Sequence, residues 1–236
     1  MPDEDCDAGY AFNGVSGLAD YASSGDHESV HQGTGLVTGV DGRTRCWWPG
    51  ADPLYVRYHD DEWGRPVTAD DRLFEKLVLE GFQAGLSWIT VLRKRDRFRK
   101  VFAGFEVAAV AAFGPADVER LLEDAAIIRH RGKIEAAVRN AAAAGRMVEE
   151  FGSLAAFFWP QAAHRSRPVD SARIPASTEA SAALSRDLKG RGWSFVGPTT
   201  VYAFMQAMGL VNDHLDGCPA GDEAEAERLP VLARFA

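Results

Sequence analysis

Gly192-Trp193-Ser194-Phe195-Val196-Gly197-Pro198-Thr199 is a short turn between two stretches with helical spacing of apolar residues, one running from about 178 to 190 and the other from 198 to 208. Proline has no N–H to lose in a first helical turn, so Pro198 opens the second stretch, and Gly209 suits its end because glycine tolerates the left-handed conformation. A glycine-containing hairpin that feeds a helix leaves backbone N–H groups unpaired at the positive end of the helix dipole, where phosphate binds well. The unit is a helix-hairpin-helix candidate.

Outward from this unit the same period persists. Apolar residues recur at three and four, and no run of alternating β-branched residues competes with them. Helices are expected at about 70–82, 87–102, 106–113, 115–124, 132–149 and 153–159, besides the two flanking the hairpin, so the fold class is all-α. Nothing repeats at solenoid period. Residues 1 to about 42 are rich in Gly, Ser and Asp without sustained periodicity, the composition of a poorly ordered tail. The division expected is a tail over 1–42, one compact domain over 43–218 and a C-terminal extension over 219–236, in which Pro219 to Glu227 reads as a second loose segment.

The chain has 236 residues and a formal net charge of −8, which at first argues against a nucleic-acid partner. The acidity is local, however. Residues 1–41 hold eight acids and no Lys or Arg, and without them and residues 219–236 the body has 24 basic and 22 acidic side chains. Such a body can present a basic face to DNA. No apolar run reaches the ~18 residues that span a bilayer, and no basic n-region with a hydrophobic h-region opens the chain, so a soluble cytoplasmic protein, a monomer without membrane contact, is expected. Three cysteines, Cys6, Cys46 and Cys218, make no disulfide framework at this length.

Cys46 and His59 lie near the start of the body, and His214 and Cys218 near its end. Two thiolates and two imidazoles satisfy tetrahedral zinc, and the spacing His214-x3-Cys218 lets both side chains face one way. On spacing alone, two scattered cysteines and two ordinary histidines fit equally well. Four protein ligands would leave no open position, so a zinc here would be structural.

Trp47, Trp48, Tyr55, Tyr58, Trp63 and Trp88 supply aromatic faces of the kind that sandwich an extruded base, and a cationic base gains further from cation–π attraction. Packing in a core is the ordinary alternative, although the segment between Cys46 and His59 looks too irregular for a simple core helix. Glu80 falls at the helical spacing of Leu73, Leu77 and Ala84, which places a carboxylate on an apolar stripe, where it needs a donor or a positive partner. Beside stacking aromatics it can accept from an exocyclic amine; the alternative is an acid at a helix end. In Gln83-Ala84-Gly85-Leu86-Ser87-Trp88, Ser87 can cap a helix that carries Arg93, Arg97 and Lys100, and Leu86 at the apex can wedge into the gap left by a flipped nucleotide. That stripe either follows a phosphate backbone or is a solvated face. Arg129, Arg131 and Lys133 form a second basic helix entry, and Gly197 and Thr199 belong to the hairpin's own.

Taken in order, these segments resemble the 3-methyladenine DNA glycosylase I family. The likeness rests on Asp52-Pro53-Leu54-Tyr55, Tyr58-His59-Asp60-Asp61-Glu62-Trp63-Gly64, Leu79 to Leu92, Ile127 to Ile134, Phe195-Val196-Gly197 and Met205 to His214. It implies an all-helical helix-hairpin-helix glycosylase with one structural Zn2+ held by Cys46, His59, His214 and Cys218. It also implies a base pocket of Glu80, Trp48, Tyr55, Tyr58, Trp63 and Trp88, with Glu80 as the catalytic group. The activity implied is monofunctional hydrolysis of the N-glycosidic bond of 3-methyladenine in alkylated double-stranded DNA, without a lysine Schiff base and without strand cleavage. The family lacks a clear counterpart of the aspartate that related enzymes place after the hairpin; Asp213 is nearest by position. The acidic tail, the C-terminal extension, Trp47 and Ala126 depart from the family pattern. Two other functions fit parts of the sequence: a lesion-binding module that excises nothing, and a zinc hydrolase, which would need an open metal position.

Overall fold

The computed structural model describes residues 33–163 and 165–236. Among the described residues two strands, β1 (Leu36–Thr38) and β2 (Thr44–Cys46), precede ten α-helices: α1 (Pro53–Asp61), α2 (Asp70–Gln83), α3 (Trp88–Val101), α4 (Val107–Ala111), α5 (Pro115–Glu123), α6 (Arg131–Phe151), α7 (Leu154–Phe158), α8 (Glu179–Gly190), α9 (Pro198–Ala207) and α10 (Pro219–Phe235). The all-α expectation holds, with one small addition. The strands pair antiparallel, with Leu36 opposite Cys46 and Thr38 opposite Thr44, inside a region whose first half has the composition of a loose tail. Most of that tail, Cys6 included, lies outside the described residues.

Helix α2 is the axis of the fold. Every residue from Leu73 to Phe82 is buried, because α3, α4, α6, α7 and α9 all pack against it. An interior helix of this kind also buries its charged residues, and Glu75, Lys76 and Glu80 each need a partner. Glu75 has one in Arg99, whose Nε lies 2.8 Å from its Oε1. Against α2 lies α6, whose buried alanines at 136, 137, 141, 143 and 144 leave room for α4 to approach closely.

The hairpin between α8 and α9 is pinned from two sides by three hydrogen bonds. Asn140 of α6 brackets Ser194, donating to its carbonyl at 3.0 Å and accepting from its N–H at 2.8 Å. Ser185 donates to the carbonyl of Val196 at 2.6 Å. These bonds hold Phe195 at a left-handed φ of 57°, a conformation that costs a non-glycine residue of order 1 kcal/mol or more.

Two helices run where none was expected. Helix α1 starts at an Asp52 N-cap that accepts from Leu54 N at 2.9 Å and Tyr55 N at 3.2 Å, with Pro53 in the first turn. Between Cys46 and His59 the chain is therefore half turn, over 47–52, and half helix, from Pro53 on. Helix α10 replaces the loose segment read over Pro219 to Glu227. Its inner stripe is Ala220, Ala224, Arg228 and Leu232, four apart and too weakly apolar to stand out as a pattern. Buried Arg228 donates to the carbonyls of Gly209 at 2.7 Å and Leu210 at 3.1 Å and so ties α10 to the end of α9. No helix among the described residues is long and apolar enough to cross a membrane.

Candidate active site and metal centre

The α1 helix and the Asn212–Cys218 loop bring the two ends of the body together. Cys46 from β2, His59 from α1, and His214 and Cys218 from the loop are all buried, and their ligating atoms lie within 4.8 Å of one another. Cys46 Sγ is 3.9 Å from His214 Nδ1, and Cys218 Sγ is 3.7 Å from both His59 Nε2 and His214 Nδ1. In a tetrahedral zinc site the sulfur–nitrogen edge is about 3.5 Å, so these three distances lie close to it and the cluster has the donor set and nearly the spacing that zinc needs. The outer partners also select the ligating nitrogens. His59 Nδ1 meets Asp60 Oδ1 at 2.8 Å, which leaves Nε2 for the cluster, and His214 Nε2 meets the carbonyl of Trp63 at 2.8 Å, which leaves Nδ1. Asp60 is itself gripped by Arg45, from Nε at 2.9 Å and from Nη2 at 2.8 Å. The Leu215 N–H donates to Cys46 Sγ at 3.3 Å. Hydrogen bonds from Cys46, His214 and His59 hold the Cys218 thiol well below its ordinary pKa, while the pairing with Cys218 and burial push the Cys46 thiol up, so the two sulfurs share one thiolate before a cation enters. Gly64, at a φ of 82°, turns the chain beneath this centre; a Cβ there would sit 3.0 Å from the His214 ring.

An aromatic chain leads from the Cys46, His59, His214 and Cys218 cluster to Glu80. Trp63 packs edge-on to His214 with ring centres 4.6 Å apart, Trp48 lies 5.0 Å from Trp63 and 4.9 Å from Tyr55, and Tyr58 lies 5.4 Å from Trp88. Tyr58 and Trp88 are buried, whereas Trp48, Tyr55 and Trp63 keep part of their surface. Glu80 is 5% exposed, which settles its alternatives: it is an interior carboxylate and not a helix-end cap. Sequence reasoning missed its partner. Lys76, one turn earlier on α2, places Nζ 2.6 Å from Glu80 Oε1, donates to the Tyr58 hydroxyl at 2.8 Å and lies 3.2 Å from the centre of the Trp88 ring. Burial pushes the Glu80 carboxyl up despite Lys76, and burial also pushes the Lys76 ammonium down to about 8 against the pull of Glu80. The i, i+4 spacing was the available signal, since a lysine one turn from a carboxylate on the same apolar stripe belongs to the same site. The buried Trp88 Nε1 has no hydrogen-bond partner among the described residues, a donor that calls for an acceptor.

Around this cage, Leu86 projects from the α2–α3 turn, 43% exposed. Ser87 occupies the N-cap position of α3 but does not cap it; its Oγ pairs instead with Thr90 Oγ1 at 2.8 Å. Arg93 and Arg97 are exposed on α3, and each meets an acid at 2.6 Å, Asp52 and Asp124 respectively. Arg129 is exposed, and Arg131 pairs with Glu119 at 2.8 Å. Lys133 differs from the expectation of a phosphate contact. It is buried, and Nζ donates to the carbonyls of Phe82 at 3.0 Å and Ala84 at 2.7 Å, because the end of α2 leaves those acceptors without helical partners. Gly197 is the N-cap of α9 and Thr199 stands in its first turn, where free N–H groups face outward from the hairpin. Asp213 is fully enclosed. Its Oδ1 accepts from Arg165 at 2.5 Å, and its Oδ2 accepts from Tyr202 at 2.5 Å and Gln206 at 2.9 Å.

Comparison with known proteins places this geometry. Residues 48–221 match the family model described as methyladenine glycosylase. The chain is 52% identical over 177 residues to DNA-3-methyladenine glycosylase 1 of Escherichia coli strain K12, covering 74% of this chain and 95% of that protein. It is 46% identical over 181 residues to DNA-3-methyladenine glycosylase of Haemophilus influenzae, covering 75% and 97%. A crystal structure of a 3-methyladenine DNA glycosylase I variant in complex with 3-methyladenine superposes with a TM-score of 0.70 at 35% identity, covering 72% of this chain and 93% of that one.

Proposed function

The chain belongs to the methyladenine glycosylase family, and from that premise we propose that it excises 3-methyladenine from alkylated double-stranded DNA by hydrolysing the N-glycosidic bond, as a monofunctional enzyme. The observation that carries this reading is the buried Glu80 carboxylate in an aromatic cage that also holds an unpartnered Trp88 Nε1–H. A carboxylate accepts from the exocyclic amine of the base, Trp88 Nε1–H donates to a ring nitrogen, and the aromatic faces attract the positive charge that N3 methylation puts on the ring.

In the reaction the bond from the ring nitrogen to the sugar C1′ breaks and its electron pair neutralises the charged ring, while water adds to C1′ and loses a proton to solvent. A cationic purine is already a good leaving group, so flipping, desolvation and pocket contacts supply much of the rate. Asp213 takes no part in activating the water, because both of its oxygens are engaged inside the fold. No lysine is needed as a nucleophile.

Leu86 fills the gap in the duplex, while Arg93, Arg97, Arg129 and Arg131, with the α9 entry at Gly197 and Thr199, hold phosphates. Lys133 lies too deep to join them. Zinc suits the two-cysteine, two-histidine cluster, where Cys46, His59, His214 and Cys218 would hold it; bound there it would cross-link β2, α1 and the loop before α10 and supply no chemistry to the base. The test is release of free base from methylated duplex DNA, with 3-methyladenine resolved from 7-methylguanine. Selective 3-methyladenine release that falls at least 100-fold in Glu80→Gln is expected; a folded wild type that binds damaged DNA but frees no base would replace this reading with a lesion-binding module.

A further inference from the structure

Lys76 occupies the contacts that a cationic base needs. Its ammonium sits 2.6 Å from the Glu80 carboxylate, 2.8 Å from the Tyr58 hydroxyl and over the Trp88 ring, so one positive group already uses the charge partner, the polar partner and an aromatic face. We propose that Lys76 controls how strongly the pocket holds its base: it is a tethered cation that competes with the flipped base for Glu80 and must lose its proton before a cationic base can be held. The inference rests on the reading of Glu80 as the base-binding carboxylate.

Two positive charges beside one carboxylate repel, and the repulsion is strong between groups as buried as Lys76 and Glu80. The chain provides a route for the proton. Lys76, Tyr58 and Trp88 also line a cleft of about 150 Å3 whose further walls include Glu62, Arg72 and Arg95. A neutral amine would remain in place as an uncharged neighbour of Glu80, and the proton would leave through that cleft. Lys76 thus sets the apparent strength of the pocket through the fraction of molecules in which it is uncharged.

Other groups facing Lys76 do not change charge near its own titration. Tyr58 of α1 is pushed up by burial, and Glu62 beyond α1, against its own burial, is held down by Arg95 of α3. On α2, Glu75 is paired with Arg99 and Arg72, and the arginines stay charged. Burial pushes the Glu80 carboxyl up, and Lys76 itself is what opposes that shift. With the ammonium titrating at about 8, roughly one molecule in eleven is competent at pH 7 and most are at pH 9. That difference amounts to about tenfold in kcat/KM.

The experiment measures kcat/KM for 3-methyladenine release from methylated duplex DNA between pH 6.5 and 9.5, for wild type, Lys76→Met and Glu80→Gln. Methionine keeps the length of the side chain and removes the charge. A wild-type value that climbs about tenfold from pH 7 to pH 9, with Lys76→Met already at the upper value at pH 7 and flat above it, is the expected result. A flat wild-type profile overturns the proposal even where the variant does not fold, and so does a folded Lys76→Met whose kcat/KM at pH 7 equals or falls below that of wild type. Full activity in Glu80→Gln would instead remove the base-pocket reading on which the proposal stands, whereas inactive Glu80→Gln beside an unaltered Lys76→Met removes the Lys76 proposal alone.

Discussion

Tyr58 and His59 are consecutive on α1, yet they serve two different centres: the Tyr58 hydroxyl accepts from Lys76 at 2.8 Å, and His59 Nε2 lies 3.7 Å from Cys218 Sγ. One short helix therefore ties the metal cluster to the cage around Glu80. A nine-residue helix is marginal alone, so its position depends on what grips its C-terminal turn.

Metal removal should accordingly loosen the base pocket as well as the fold. The purified protein is expected to contain one equivalent of zinc by elemental analysis. Chelation, or Cys218→Ser, removes a clip between distant segments; losing even about 4 kcal/mol of the metal's contribution lowers Tm by roughly 10 °C in a chain of this size. Calorimetry with and without chelator checks it. Base release should fall in the stripped protein at temperatures where far-ultraviolet circular dichroism still reports most of the helix. A metal-free preparation with an unchanged Tm and full activity would reduce the cluster to ordinary packing.

What could be read from the chain follows from how strongly each element declares itself. Helices α2, α3, α6, α8 and α9 have periods long enough to stand alone. Helix α1 is short and its inward residues are Tyr58, His59 and Asp60, so no apolar period marks it, although Asp52-Pro53 is a start signal in its own right. Helix α10 hid because an arginine occupies a core position. Residue type and position grouped Cys46, His59, His214 and Cys218 as a ligand set, resemblance to the family favoured that set over scattered cysteines and ordinary histidines, and Glu80 was visible as a carboxylate on an apolar stripe. Lys133 was not visible as a buried cation, since its acceptors lie at the end of α2 in a distant segment, whereas Lys76 had one signal in the sequence, its i, i+4 spacing to Glu80, with Tyr58 added only by the packing of α1.

Arg228 gives the C-terminal helix its hold. Replacing it with Met keeps much of the volume and removes the donors to the carbonyls of Gly209, Leu210 and Ala163. Each buried acceptor left unpaired costs about 1–3 kcal/mol, so a loss of about 3–5 kcal/mol is expected in urea denaturation. Arg228→Lys should recover only part of it, because one ammonium cannot reach three acceptors in the geometry of a planar fork. A loss under about 0.5 kcal/mol would mean that α10 is held by its other contacts.

Arg97 tests the proposed phosphate face. It pairs with Asp124 across the surface at 2.6 Å, an exposed contact that contributes little to stability and yields readily to a phosphate. Arg97→Ala should leave Tm within about 2 °C, weaken binding to undamaged and damaged duplexes alike, and reduce the slope of log K against log salt by about one. A fluorescence titration at several salt concentrations measures it. An unchanged slope would return Arg97 to the solvated surface.

Asp213 separates structural from catalytic aspartate. Its carboxylate, with no exposed surface, accepts from Arg165, Tyr202 and Gln206, and joins the segment near Arg165 to α9. Asp213→Asn keeps the shape but removes the charge opposite Arg165 and forces one of the acceptor contacts to become donor against donor. A loss of about 2–4 kcal/mol is the expected consequence for folding, by the rule that a buried charge left without its partner is costly. An aspartate that steadied the sugar cation or the attacking water would instead show its effect in the chemical step. Single-turnover base release by Asp213→Asn, at a temperature well below its own Tm, should remain within about fivefold of wild type, a barrier change of roughly 1 kcal/mol. A fall of 100-fold or more in fully folded variant would show that Asp213 leaves its three partners when DNA binds and reaches the sugar, and would move it from the framework of the enzyme into the reaction.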